Sequence, residues 1–266
     1  MHVLFLDAYN LIYRARSGFT KGQSPVIYNF FRSLRPIIEK FAPDKVYFVL
    51  EGVPEHRKTL SEGTYKGNRP KQHRSFYEQK AGIINIVETC FPFTVVKHPR
   101  LECDDTIATL SSIHARKGHN VTIVSSDSDF LQLLNIFPEN FDIYNPIKKT
   151  FFERPEFDYV TWKALKGDPT DNIKGIKGVG DKTAKKLVQN KELLAEFLKD
   201  KENFEIFERN VNLIRLVDFS KSLADMEKIE AKKDFFKLKK IFEDLSFVSI
   251  VSESAWGKYC QTFERL

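Results

Sequence analysis

NVTIVSSDSDFLQLL, residues 120–134, is the stretch that decides how this chain is read. Its β-branched run describes a buried strand, and DFLQLL opens a helix, with Asp127 and Asp129 at the junction. The same pattern occurs twice before it. HVLFLD (2–7) ends on Asp7, and DKVYFVLE (44–51) ends on Glu51. Helical patterns lie between the strands: one after Ser24 and Pro25, which suit the N-cap and first-turn positions, one at about 75–90, and DDTIATLSSIHARKG, closed by Gly118. The short strand PFTVV precedes the last of these. Strands alternating with helices to about residue 150 predict an α/β fold with a doubly wound, largely parallel sheet. From 156 the period is helical almost throughout, so residues 1–155 are expected to form an α/β domain and 156–266 a helical lobe.

In such sheets, ligands bind at the carboxyl ends of the strands. Nine carboxylates follow or border the apolar runs in five clusters: Asp7; Glu51; Glu102, Asp104 and Asp105; Asp127 and Asp129; Asp168 and Asp171. N-capping of helices explains one acid per cluster, whereas three within four residues at 102–105 exceed that need. Gathered at one edge they repel each other and their pKa values rise, unless hard divalent cations such as Mg²⁺ or Mn²⁺ neutralise them. The chemistry this implies is metal-dependent phosphodiester hydrolysis.

Composition agrees. With 42% hydrophobic and 29% charged residues the chain reads as globular, with neither an apolar span of membrane length nor a secretory opening. Cys90, Cys103 and Cys260 form no disulfide framework, which sets a cytoplasmic location as the expectation. His114 and His119 lack a second ligand pair for zinc. The net charge is +6, but leaving out the nine clustered acids sets 27 acidic residues against 42 basic ones. An acidic hole in a basic shell suits a polyanion.

Two further stretches fit nucleic acid. TYKGNRPKQHR (64–74) gathers Lys66, Arg69, Lys71 and Arg74, which can neutralise phosphates, around Tyr65, whose ring face can stack on a base, in a connection long enough to be either disordered or functional. GIKGVGDKTAKKL (175–187) sets Gly175, Gly178 and Gly180 before a lysine-rich helix. It fits neither a P-loop nor a dinucleotide fingerprint. It fits the glycine hairpin of a helix-hairpin-helix element (173–187), whose amides approach DNA phosphates and whose carbonyls hold a monovalent cation, here expected to be K⁺. Lys182, Lys185 and Lys186 follow as phosphate contacts.

Taken in order, LFLDAYNLIYR (4–14), FVLEGVPEHRKTLSEGTYKGNRP (48–70), LECDDTIATL (101–110), VTIVSSDSDFLQLL (121–134) and GDPTDNIKGIKGVGDKTAKKL (167–187) resemble the 5′-nuclease superfamily: phage 5′→3′ exonucleases, the nuclease domain of bacterial DNA polymerase I, and flap endonucleases. The resemblance covers residues 1 to about 190 and weakens beyond 220. It implies two divalent ions, Asp7, Glu51, Glu102 and Asp104 resembling the first set of ligands and Asp105, Asp127, Asp129, Asp168 and Asp171 the second. Lys66 and Arg69 match the basic pair that contacts the scissile phosphate at the base of a helical arch, placed here at about 60–92. Tyr65 matches an aromatic residue near the site, and Arg14 a phosphate-contacting arginine. Glu51 departs from the family's usual Asp. The expected function is a monomeric, structure-specific 5′ nuclease acting on flap, branched or nicked DNA and RNA-DNA hybrids. The alternatives are a PIN-type ribonuclease, which would lack the glycine hairpin, and a catalytically weakened DNA-junction binding protein.

Overall fold

The computed structural model describes residues 1–19 and 21–266. In chain order the strands are β1 (His2–Asp7), β2 (Lys45–Leu50), β3 (Thr94–Lys97), β4 (Asn120–Val124), β5 (Phe141–Asn145), β6 (Thr150–Phe151), β7 (Gly167–Asp168), β8 (Ile173–Lys174) and β9 (Glu227–Ile229). Helices α1 (Ala8–Ala15), α2 (Pro25–Phe41), α3 (Glu55–Leu60), α4 (Arg74–Cys90), α5 (Cys103–Arg116) and α6 (Leu131–Leu134) lie between the sheet strands. A helical lobe follows, made of α7 (Tyr159–Lys166), α8 (Asp181–Gln189), α9 (Lys191–Phe197) and α10 (Lys201–Ile214). Helices α11 (Phe235–Asp244), α12 (Val248–Val251) and α13 (Glu253–Glu264) come after β9.

The main sheet runs β6-β5-β4-β1-β2-β3-β9, parallel from β5 to β3, with antiparallel edge strands. This is the doubly wound, largely parallel sheet the sequence predicts. The chain moves outward from β1 to β2 and β3, then crosses back to β4 and β5. The order therefore reverses between β1 and β4, and their carboxyl ends part to leave a crevice. Side-chain alternation supplies a core on each face. Leu4, Leu6 and Phe48 pack beneath α1, α2 and α4, while Val3, Phe5 and Ile123 pack beneath α5.

Two boundaries differ from expectation. The stretch 156–266 is not one lobe: β9 pairs with β3, and Leu238, Phe242, Tyr259 and Phe263 join the core of the first domain. Phe31 lies 5.2 Å from Phe91 and 5.1 Å from Phe242, ring to ring, so the C-terminal helices complete the apolar face of α2 and α4. Helical periodicity states that a segment is helical, not which core it covers. The expected arch at 60–92 is also shorter, because α4 buries Phe76, Ile83, Ile86, Val87 and Cys90 in that core. Only the turns of residues 61–73 stay outside it. Within the helical lobe, GDPTDNIK forms a two-stranded ribbon, β7 with β8, around a short 3₁₀ turn at Pro169–Asp171.

Arg57 of α3 ties the lobe to the sheet domain. Its Nη1 and Nη2 donate to the two Asp105 oxygens at 2.5 and 2.7 Å, and Nη1 also donates to Glu102 at 3.0 Å. Nε and Nη2 donate to the Leu213 and Arg215 carbonyls at 2.8 and 3.2 Å. Burial alone would lower the guanidinium pKa, but the hydrogen bond and charge of Asp105 outweigh it and raise it. Asp105→Ala removes the two-pronged partner of this buried cation and leaves it only the single carboxylate contact with Glu102, and is expected to cost about 3–5 kcal/mol of unfolding free energy in a denaturant titration. Arg57→Met with Asp105→Leu should recover much of that loss. A single variant as stable as the wild type would show that the pair does not hold the two parts together.

Candidate metal centre and nucleic-acid interface

Asp7 closes β1 and caps α1, accepting from the Asn10 amide at 3.0 Å and the Ser125 hydroxyl at 2.7 Å. Burial raises its pKa to about 6; those two hydrogen bonds oppose the rise, and the charges of Asp127 and Glu51 add to it. Asp104 enters the same space from the first turn of α5, its pKa raised well above the ordinary value by burial and by Asp127 and Asp7. One ligand atom each from Asp7, Cys103 and Asp104 lie within 4.8 Å of one another. Burial and the charges of Asp104, Glu51 and Asp7 push the Cys103 thiol well up, which keeps it protonated and leaves the carboxylates as the donors. Glu51 borders this cluster, with Oε2 accepting from the Cys103 amide at 3.1 Å. Its pKa is raised by burial and by Glu102.

A second cluster forms where Asp129, after β4, meets Asp168 and Asp171 on the β7–β8 ribbon, again within 4.8 Å. Lys163 of α7 bridges it, pairing with Asp129 and with Asp168 at 2.6 Å. Burial holds Asp129 up at about 6 even though the Lys163 charge lowers it. For Asp168 the Lys163 hydrogen bond overcomes burial, and its pKa falls. The charge of Asp127 raises Asp7, Asp104 and Asp129 alike, which places it between the clusters. The ligand atoms are hard carboxylate oxygens that the protein's own cations neutralise only in part. That donor set fits Mg²⁺ or Mn²⁺.

Asp105 is a correction to the expected ligands. It is fully buried, and its oxygens accept from Arg57, from the Val217 amide at 2.8 Å and from the Glu102 amide at 3.3 Å. The last contact is half of a capping box, so capping claims Asp105 and leaves Asp104 for the cluster. Glu102 is likewise engaged, with Lys66, Arg57 and Tyr65.

The expected basic pair covers the crevice. Lys66 pairs with Glu102 and lies 3.8 Å from Asp171, and Arg69 donates to Asp171 at 2.7 Å. The turn carrying them is stitched to the 3₁₀ turn: Lys66 donates its amide to the Asp171 carbonyl at 3.0 Å, Asn68 donates to Pro169 at 2.9 Å, and Asn172 to Thr64 at 2.9 Å. Lys66 and Asn172 both adopt left-handed backbone, at φ 55° and 60°. Tyr65 is a second correction. It is 7% exposed and its hydroxyl donates to Glu102 at 2.9 Å and Asp171 at 3.2 Å, so it fixes carboxylates and has no face open for stacking on a base.

The glycine hairpin is present, but its glycines differ in role. A Cβ at Gly175 would lie 2.2 Å from the Lys166 carbonyl carbon, so close packing of α7 on the hairpin requires glycine there. Gly178, at φ +80°, and Gly180 face open space. Lys182 and Lys186 are exposed, and Lys185 pairs with Asp181 at 3.0 Å. Arg14 is half-buried in the last turn of α1, and Arg74 is exposed and pairs with Glu78 at 2.8 Å. Sequence reasoning missed Arg57, Lys163, Asn68 and Asn172. Their partners are distant in sequence, and a basic residue in a basic loop or on a helix carries no mark of its burial.

The 5′-3′ exonuclease N-terminal, resolvase-like domain matches residues 2–161, and the 5′-3′ exonuclease C-terminal SAM fold matches residues 155–245. DNA polymerase I of Thermus thermophilus is 33% identical over 212 residues, covering 74% of this chain and 25% of that protein. This chain thus spans about a quarter of that polymerase. The 5′-3′ exonuclease of Aquifex aeolicus is 28% identical over 276 aligned positions, covering 93% of each. Among solved structures, bacteriophage T5 D15 flap endonuclease, complexed with DNA and metal ions, superposes with a TM-score of 0.68 at 16% identity, covering 100% of this chain and 99% of that one, and so shares its fold. The chain is a member of the 5′-3′ exonuclease family.

Proposed function

We propose that the chain is a structure-specific 5′ nuclease, hydrolysing phosphodiesters near the 5′ ends of flap, branched or nicked DNA and of RNA primers in hybrids. The observation that carries this reading is the pair of carboxylate clusters at the sheet's switch point, covered by Lys66 and Arg69. The names of two relatives support it, the Aquifex 5′-3′ exonuclease and the phage flap endonuclease with its DNA and metal ions.

Asp7 and Asp104 would hold one Mg²⁺ or Mn²⁺, and Asp129, Asp168 and Asp171 the other, with Asp127 between them and Glu51 at the border. Bound divalent ions supply Lewis acidity, which activates water and stabilises the leaving oxygen. The chain's own groups do the rest. Lys66 and Arg69 meet the phosphate where it reaches the carboxylates and stabilise the charge that develops on it. Lys163 fixes Asp129 and Asp168, and Tyr65 orients Glu102 and Asp171. The carbonyls of the glycine hairpin would hold K⁺, and its amides would hold duplex DNA by its phosphates. We take the working form to be a monomer in the cytoplasm, that of the host if the chain is of phage origin.

Cleavage of a 5′-flap, a nicked duplex and a primer hybrid with Mg²⁺ tests the reading. Asp127→Asn and Asp171→Asn are each expected to cut turnover by orders of magnitude while leaving the melting transition in place. Unchanged cleavage in either would remove that carboxylate from the site. Lys66→Ala should lower kcat far more than it raises the Kd for DNA, because its contact strengthens as phosphate charge develops. Weak binding with normal turnover at saturation would reverse that assignment.

The raised carboxylates also set a pH dependence. Asp7 and Asp129, each at about 6, take up protons in the folded state at a pH where the unfolded chain is still ionised. Their contribution to stability is therefore greatest below the unfolded value, and is lost as pH rises through about 6. Divalent ions compete with those protons. The rise in Tm on adding Mg²⁺ should be large at about pH 7.5 and small at about pH 5. An equal rise at both would disconnect ion binding from these acids.

A further inference from the structure

Three aromatic rings stand in a row beside the crevice, each with a lysine over it. Phe157 lies 5.5 Å from Trp162, and Trp162 lies 5.3 Å from Tyr159, centroid to centroid. Lys185 sits 5.9 Å over Phe157, Lys166 3.8 Å over Trp162, and Lys163 5.9 Å over Tyr159. One end of the row is in the second carboxylate cluster, where Tyr159 donates to Ser128 at 2.8 Å and Lys163 pairs with Asp129 and Asp168. The other end is on the helix of the glycine hairpin. There Trp162 Nε1 donates to Asp181 at 3.1 Å, and Lys185 pairs with Asp181 at 3.0 Å.

The three lysines differ in what they are free to do. Lys163 is buried and committed to two carboxylates. Lys185 shares its charge with Asp181. Lys166, half-exposed and one turn along α7 from Lys163, makes no ion pair among the described residues; its charge reaches Asp181 only at longer range, its partner is the Trp162 ring, and both line the cavity that holds Asp127, Asp129, Asp168 and Asp171. A quadrupole attracts an ammonium without neutralising its charge. Such a lysine is held in place, partly stripped of water, and keeps its full charge for an anion. A solvated lysine on a flexible stem must give up rotamer freedom to make the same contact.

We propose that Trp162 and Lys166 form a phosphate subsite midway between the carboxylate clusters and the glycine hairpin, taking one backbone phosphate of the DNA strand that joins them. Trp162 is the positioning residue, fixed by Asp181, and Lys166 makes the contact. This rests on the nuclease reading, and adds a fixed anion site between its two ends. Because Trp162 also hydrogen-bonds the first turn of α8, occupancy of the subsite is coupled to the hairpin's placement.

The test is equilibrium binding of a 5′-flap duplex in Ca²⁺ across a range of salt, alongside cleavage in Mg²⁺. Lys166→Gln is expected to weaken binding several-fold and to reduce the slope of log K against log salt by about 0.9, the value for one lost phosphate contact. Trp162→Leu should give a partial loss in the same direction, and Lys166→Arg should restore the wild-type slope. DNA should change the tryptophan emission of the wild type and of Trp256→Phe, but not that of Trp162→Phe. Wild-type affinity and slope in Lys166→Gln, with wild-type cleavage intact, overturns the subsite alone. Failure of the wild type to cleave in Mg²⁺ overturns the nuclease reading and the subsite with it.

Discussion

The buried guanidinium of Arg57 is the constraint on which the rest of the structure depends. Its Nε and two Nη atoms reach five acceptors: both oxygens of Asp105, one of Glu102, and the carbonyls of Leu213 and Arg215. Those groups come from the start of α5 and the end of α10, which are more than 100 residues apart. A cation removed from water in this way is tolerated only with its donors satisfied. That requirement fixes how the helical lobe sits against the sheet. It therefore also fixes where the ribbon carrying Asp168 and Asp171 meets the acids at the strand ends.

Carboxylates that must lie together pose the opposite problem, since each lowers the others' tendency to ionise. The chain answers with cations placed singly: Lys163 between Asp129 and Asp168, Lys66 on Glu102, and Arg69 on Asp171. Asp7 and Asp104, which no lysine or arginine reaches in an ion pair among the described residues, remain raised, and burial keeps Asp129 raised even beside Lys163. The residual charge is concentrated where the two clusters face each other across Asp127. Binding and repulsion thus share one origin, and the same acids that strain the fold make it receptive to hard ions.

The basic cover over the crevice is held by neutral contacts as well as by charge. The Asn68 side-chain amide donates to the Pro169 carbonyl and the Asn172 side-chain amide to the Thr64 carbonyl, joining the turn that bears Lys66 to the turn that bears Asp171. The distance from the Lys66 ammonium to Asp171 in the second cluster is then set by amide geometry, which salt does not screen. Two short turns from different domains behave as one element.

Much of this was legible in sequence. Buried strands ending on acids determined the parallel sheet and the side of it where the site lies, because strand direction and side-chain alternation are local properties. The glycine spacing at 175–180 determined the hairpin for the same reason. Tertiary structure alone decided which acids face the crevice. Asp104 and Asp105 are adjacent in sequence and both in the first turn of α5, yet one joins Asp7 while the other turns to Arg57. It alone decided that Tyr65 is buried, that Lys163 bridges two acids, and that the last forty residues return to the first core instead of extending the second. Period and composition report whether a face is apolar or charged. What covers that face, and which cation reaches which acid, depends on groups brought together from far along the chain.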